Sequence, residues 1–199
     1  MGRTRDVSKI LTSNTSILTL ASASTTYATK ASTALTLINT TSFSAVSSVS
    51  LPNNTFSSTY ENYRIIFTTT AIGTADYVYL RMRSSGSDDT GSNYSYAANG
   101  RSGAADVTSE NSTGTTSQRM AYSALTTGMR NIVLDVFQPN TTNRTTWNYY
   151  YSNEDSGSPN LYLYQVGGGI IRTATQYDSL SFFKSGTFTG TITAYGYNK

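Results

Sequence analysis

The chain has 199 residues, of which 63 are Ser or Thr and 16 are Tyr, while only 13% are charged. Thr, Tyr, Val and Ile favour strands over helices, so this composition predicts an all-β fold. The chain has no Cys and no His, which excludes disulfides, thiolate nucleophiles, Cys/His zinc sites and histidine acid–base catalysis. We therefore expect no catalytic residues and no cofactor.

The excess of positive charge lies at the start of the chain. Residues 1–30 hold four basic side chains and one acidic one, which accounts for the net charge of +3 because the remainder is balanced. This segment is too poor in apolar residues to close a core. We predict an extended anchoring arm over residues 1–34, with a terminus packed on its own domain as the alternative. The expected anchor residues are Arg3, Arg5, Lys9, Ile10 and Leu11.

From residue 35 onward the sequence alternates between apolar and polar residues. The predicted strands cover residues 35–37, 43–51, 63–67, 77–83, 129–137, 145–151, 161–166, 179–183 and 188–197. Turn signals separate them, including the glycines at 167–169, and residues 84–118 read as a long polar insertion. Short strands at this spacing predict an antiparallel β-sandwich over residues 35–199, of a jelly-roll-like kind.

The strand at 77–83 presents two different faces. Val78, Leu80 and Met82 lie on one side and should enter the core. The other side is rich in Tyr and Arg, which are enriched where proteins meet. We predict a subunit interface there, with lateral stacking within one sheet as the alternative. The residues on this side are Tyr77, Tyr79, Arg81 and Arg83.

The strand at 145–151 carries the only tryptophan of the chain. Trp147, Tyr149 and Tyr151 alternate and so share a face, and Asn148 lies nearby. Aromatic rings beside an amide suit a glycan, so this strand is a candidate glycan site or interface. The alternative is that these rings belong to the core.

Carboxylates offer two further sites. Asp88 and Asp89 could donate oxygens to Ca²⁺, but paired Asp in a Gly/Ser loop is ordinary turn chemistry, and we expect no metal. A glycosidase needs only two carboxylates. The candidates for such a pair are Asp88, Asp89, Asp106, Glu110, Glu154 and Asp155.

Residues 35–199 resemble a family of tailed-phage virion structural and tail fibre proteins, of the type found in phages of cyanobacteria and other marine bacteria. The likeness rests on a series of short motifs in order, at residues 35–38, 45–49, 56–65, 80–82 and 190–197, with a terminal Lys199; residues 2–6 are similar to the N-termini of such proteins. The resemblance implies a β-rich particle component and brings no catalytic or ligand residues. The insertion at 84–118 fits it poorly.

Together these observations predict a virion protein assembled in the host cytoplasm, a tail fibre or related appendage that contributes to host attachment. We expect other tail or capsid proteins as partners, a homo-oligomer, for which the resemblance implies a trimer, and a host surface glycan or protein as receptor. The alternatives are a capsid decoration or head-fibre protein, an enzyme that degrades surface polysaccharide, and a secreted lectin. The balanced strand domain lacks the basic stripe of a nucleic-acid binder, and no apolar run is long enough for membrane insertion.

Overall fold

The computed structural model describes residues 34–74, 76–102, 106–123, 127–155 and 161–198. The predicted anchor residues Arg3, Arg5, Lys9, Ile10 and Leu11 lie outside them. Within the described residues the chain forms eleven strands and no helix. The strands are β1 (Leu35–Ser50), β2 (Asn62–Ile72), β3 (Asp76–Ser84), β4 (Ser87–Asp88), β5 (Tyr94–Ser102), β6 (Asp106–Thr115), β7 (Gln118–Ser123), β8 (Thr127–Phe137), β9 (Thr146–Asp155), β10 (Leu161–Ile171) and β11 (Ser179–Tyr197).

The strands form a single sheet in which every pairing is antiparallel. This confirms the predicted all-β antiparallel class. In the part of the chain that the structure describes, we find no helix of the length and apolarity that a membrane crossing requires.

The long strand β11 is where the sheet folds over. Its first residues pair with β3 and its last residues pair with β2, while β1 follows its other side. From β2 the order continues through β8, β9, β10, β5 and β6, and we call these six strands the large arm. On the other side β3 pairs with β4 and β7, and these three strands form the small arm. The result is a curled half-barrel with the character of a sandwich, and its strand pairing does not confirm the jelly-roll order.

The core lies between the two arms. The ring of Phe67 in β2 is 4.3 Å from that of Phe182 in β11. The backbone N–H of Met82 in β3 donates a hydrogen bond of 2.9 Å to the hydroxyl of Tyr94 in β5. The side chains of Val78, Leu80 and Met82 are buried, as predicted. One side of the curled sheet is therefore fully used by the fold, and its other side faces outward.

Several predicted boundaries are wrong. The two short strands expected within residues 35–51 form one strand, β1, which keeps its pairing with β11 across three register shifts. The two strands expected at 179–183 and 188–197 likewise form β11. The insertion at 84–118 contains β4, β5 and β6, because a hairpin at the margin of a sheet needs few apolar residues to pack. The glycines at 167–169 continue β10 rather than making a turn.

Candidate functional site

The aromatic residues of β9 that were predicted to bind a glycan or a subunit belong to the core. Trp147, Tyr149 and Tyr151 are at most 3% exposed, so the prediction of a ligand site or interface on them is wrong and the core alternative holds. The Trp147 indole N–H donates a hydrogen bond to the side-chain carbonyl of Gln118 in the small arm. Burial raises the pKa of the Tyr149 hydroxyl well above its ordinary value.

The glycines of β10 explain how these rings fit inside. A Cβ atom on Gly167 would come within 2.6 Å of the Tyr149 ring, and one on Gly169 within 2.7 Å of the Trp147 ring. Both glycines lie directly across from these aromatic residues in the register of β9 and β10. The missing side chains of β10 thus make room for the large rings of β9.

Asn148 and Tyr150 lie on the opposite side of β9, which faces solvent. We call this outward side of β1, β11, β2, β8, β9 and β10 the outer face. One row of it pairs Arg64 with Asp135 and Asp135 with Asn148. The next row runs from Ile66 through Val133 and Tyr150 to Val166, and Tyr164 follows in the third row. The sheet therefore brings residues from four separate strands into one continuous surface.

An open depression of about 230 Å³ lies in this surface. Its lining residues are Arg64, Val133, Asp135, Asn148, Tyr149 and Tyr150. The depression is smaller than the roughly 300–1,000 Å³ of pockets that enclose a drug-sized molecule. The depression can receive one small ring or a short side chain, and its lining combines the apolar Val133 with the polar side chains of Arg64, Asp135 and Asn148.

One wall of the depression is a bidentate ion pair. Arg64 Nε lies 2.8 Å from Asp135 Oδ1, and Arg64 Nη2 lies 2.7 Å from Asp135 Oδ2. The hydroxyl of Tyr197 donates a third hydrogen bond of 2.7 Å to Asp135 Oδ1. Burial alone would raise the pKa of Asp135, but these hydrogen bonds and the guanidinium charge outweigh it and lower that pKa. Burial, together with the bond to the carboxylate, raises the pKa of Tyr197 to about 12.

The lowered pKa of Asp135 predicts a measurable effect of acid. Its contribution to stability is present above the ordinary carboxyl pKa of 3.8 and is lost as the pH falls through the lower folded value. We expect Asp135→Asn to abolish this pH-dependent contribution to the free energy of unfolding. The contribution is about 1 kcal/mol or less because the ion pair is partly exposed. Urea unfolding at a series of pH values measures it. Asn148→Ala removes no carboxylate and should keep the wild-type pH profile; identical profiles for all three proteins would contradict the assignment.

The predicted interface residues of β3 are engaged within their own sheet. The guanidinium of Arg81 lies 4.3 Å above the ring of Phe183, which itself stacks on Tyr79. Arg83 forms an ion pair of 3.0 Å with Asp88. The guanidinium of Arg119 lies 4.0 Å from the centre of the Tyr77 ring. These contacts correspond to the alternative of lateral stacking, and a subunit interface at this place stays a prediction.

The acidic candidates whose side chains the structure describes each have a partner within the chain. Asp88 accepts hydrogen bonds from Arg83 and Ser181, and Asp89 accepts one from Tyr177. Glu110 lies 3.7 Å from Arg119. Among the described residues, no group of three or more carboxylates could hold a metal ion. The side chains of Asp106, Glu154 and Asp155 lie outside what the structure describes.

The sequence alone does not reveal that Arg64, Asp135, Tyr164 and Val166 share one surface. Each lies at an outward position of an alternating strand, so its side was readable, but the neighbouring strand was not. The glycines at 167–169 are a signal in the sequence that could have assigned the sides of β9. A strand that lacks side chains makes room for large rings on the strand beside it, which indicates that Trp147 and Tyr149 point inward and that Asn148 and Tyr150 face outward.

Comparison of the chain with protein-family models, with curated proteins and with solved structures finds no match.

Proposed function

We propose that this chain is a structural protein of a tailed-phage particle, displayed on a tail fibre or related appendage and contributing to host attachment. The family resemblance over residues 35–199 supports this role. The separation of charge along the sequence also supports it, since a positive leading segment precedes a balanced strand domain. In this proposal residues 1–34 anchor the protein and the strand domain faces outward.

The observation that carries the proposal is the composition of the outer face. The four large hydrophobic side chains that are exposed in the described residues all lie on it; they are Leu37, Tyr150, Tyr164 and Val166. The core is complete without them. Three of them, Tyr150, Tyr164 and Val166, are neighbours on β9 and β10, and exposed rings beside an Arg–Asp pair have the composition of a recognition surface.

The carboxylates favour binding over catalysis. Each of the seven carboxylates whose side chains are described accepts a hydrogen bond from another group of this chain. They are Glu61, Asp76, Asp88, Asp89, Glu110, Asp135 and Asp178. A hydrolase that used any of these seven would need that carboxylate to face a bound substrate as an acid or base.

Weak binding at one domain would suffice if several copies act together. In a symmetric homo-oligomer, such as a trimer, every copy presents the same outer face. The first contact with the host surface then raises the effective concentration of the remaining sites, and the combined affinity exceeds that of one site.

The test is to locate the protein in purified particles of the virus that encodes it. We expect mass spectrometry to detect the chain and immunogold labelling to place it on the tail at low copy number. Labelling spread over the head would indicate the alternative decoration role. Absence of the chain from purified particles would overturn the proposal.

The arm is tested in the full-length chain. We expect the combined variant Arg3→Glu, Arg5→Glu and Lys9→Glu to stay folded but to be lost from particles, because its charge no longer suits the docking partner. Tyr150→Ala is the matched control and should be incorporated normally. Normal incorporation of the charge-reversed protein would contradict the anchoring role of these residues.

A further inference from the structure

We infer that the outer face binds an uncharged polysaccharide, with Tyr150 and Tyr164 stacking on sugar rings and Asn148 hydrogen-bonding to sugar hydroxyls beside the depression. This inference rests on the proposed function, because it names the class of receptor that the displayed domain would recognise. It places the site on the side of β9 opposite to the buried Trp147.

The two tyrosines form a platform. Tyr150 is 48% exposed and Tyr164 is 41% exposed. Tyr150 lies directly across from Val166, and Tyr164 is two residues before Val166 in β10, so the two rings are diagonal neighbours. Diagonal positions on adjacent strands are about 7–8 Å apart, within reach of large side chains. Neighbouring units of one sugar chain can therefore contact both rings through their apolar sides.

The polar groups around the platform are available for a ligand. Within the described residues, the structure shows no hydrogen bond for the Asn148 amide or for the hydroxyls of Tyr150 and Tyr164. An amide both donates and accepts, as a sugar hydroxyl does, so Asn148 can form paired hydrogen bonds with a sugar. Val133 also lines the depression and lies directly across from Tyr150 on β8, so an apolar side chain adjoins the Tyr150 ring on that side.

The charges nearby favour an uncharged ligand. Arg64 and Asp135 neutralise each other at a distance of 2.7 Å, so the wall of the depression carries no net charge. Arg101 lies across from Tyr164 at the margin of the surface and not in the depression. A strongly anionic polymer would find no cluster of cations in the depression.

The shape of the outer face favours a thin chain over a second copy of the protein. The core lies on the concave side of the curled sheet, so the outer face is its convex side. Two convex faces touch over a small area, whereas a stable interface between proteins buries roughly 1,200–2,000 Å². Leu37 is four strands away from β9, about 19 Å at the usual strand spacing, so the exposed apolar groups do not form one flat patch.

The test is affinity electrophoresis of the full-length protein in gels that contain dextran, laminarin, mannan or xylan, with alginate as the anionic polymer. We expect retardation in at least one neutral gel. Tyr150→Ala, Tyr164→Ala and Asn148→Ala should each weaken the binding about tenfold or more, which corresponds to the loss of about 1.4 kcal/mol. Leu37→Ala, which removes an exposed apolar side chain far from the depression, should bind as the wild type does.

Three outcomes would overturn the inference: no retardation in any neutral gel, retardation in alginate alone, or binding that the three variants leave unchanged. Sedimentation velocity adds a fourth, because dissociation of an oligomer by Tyr150→Ala would identify the platform as a subunit interface. Particle analysis separates this inference from the proposed function. A chain that is present in particles but binds no saccharide overturns only the inference, and one that binds saccharide but is absent from particles overturns only the proposed function.

Discussion

Trp147→Ala is expected to lower the free energy of unfolding by about 3–5 kcal/mol, the usual cost of removing a buried large aromatic side chain. Trp147 is 1% exposed and lies between the two arms of the sheet. Its removal leaves a cavity beside Tyr94, whose ring centre is 6.2 Å away. The substitution also removes the hydrogen bond that the Trp147 indole N–H donates to the side-chain carbonyl oxygen of Gln118.

The matched control is Tyr150→Ala, three residues away on the same strand but on the outer face. This side chain is 48% exposed, so its loss should change the free energy of unfolding by about 0.5 kcal/mol or less. Guanidinium unfolding should be followed by circular dichroism, because Trp147 is the only tryptophan and its fluorescence is lost in the variant. Equal stability of the two variants would show that Trp147 is not a core residue.

The pair of predictions also shows what alternation can and cannot tell. The period of two residues correctly separates Trp147, Tyr149 and Tyr151 from Asn148 and Tyr150. It does not say which side faces the core, because both sides of β9 carry aromatic rings. In β3 the decision was simple, since Val78, Leu80 and Met82 oppose a side with two arginines. Charge assigns the two sides of β3 directly, whereas in β9 the assignment depends on the glycines of its neighbour β10.

Strand pairing is the second thing that the sequence does not show. The outer face joins Arg64, Asp135, Asn148 and Tyr164, which come from four strands spread over a hundred residues. The strands β8, β9 and β10 pair with their neighbours in the chain, but Arg64 joins them through the pairing of β2 with β8, two strands that are distant in the sequence. The hairpin of β5 and β6 has the sequence pattern of a loop because it contributes few core residues, among them Tyr94 and Ala98.

Gly190→Ala is expected to be the most disruptive small substitution at the point where β11 meets β2. A Cβ atom on Gly190 would stand against the backbone carbonyl oxygen of Thr68 and within 2.9 Å of the Cα atom of Thr69. Gly190 lies at a register shift between the two strands, where their backbones approach closely. Backbone atoms cannot rotate away as a side chain does, so the strands must separate, at a cost of about 3 kcal/mol, the upper end of the usual range for overpacking.

Thr191→Ala is the control, because the neighbouring side chain is half-buried at a normally paired position opposite Thr68. Its substitution should cost about 1 kcal/mol or less, the range of strand preferences. Thermal unfolding followed by circular dichroism compares the two variants, and the Gly190 variant should melt far below the other. Since β11 joins both arms, its separation from β2 would also expose Phe67 and Ile192 and loosen the core. Equal melting temperatures of the Gly190 and Thr191 variants would mean that the two strands have room for a methyl group. The close approach of their backbones at Gly190 would then be contradicted.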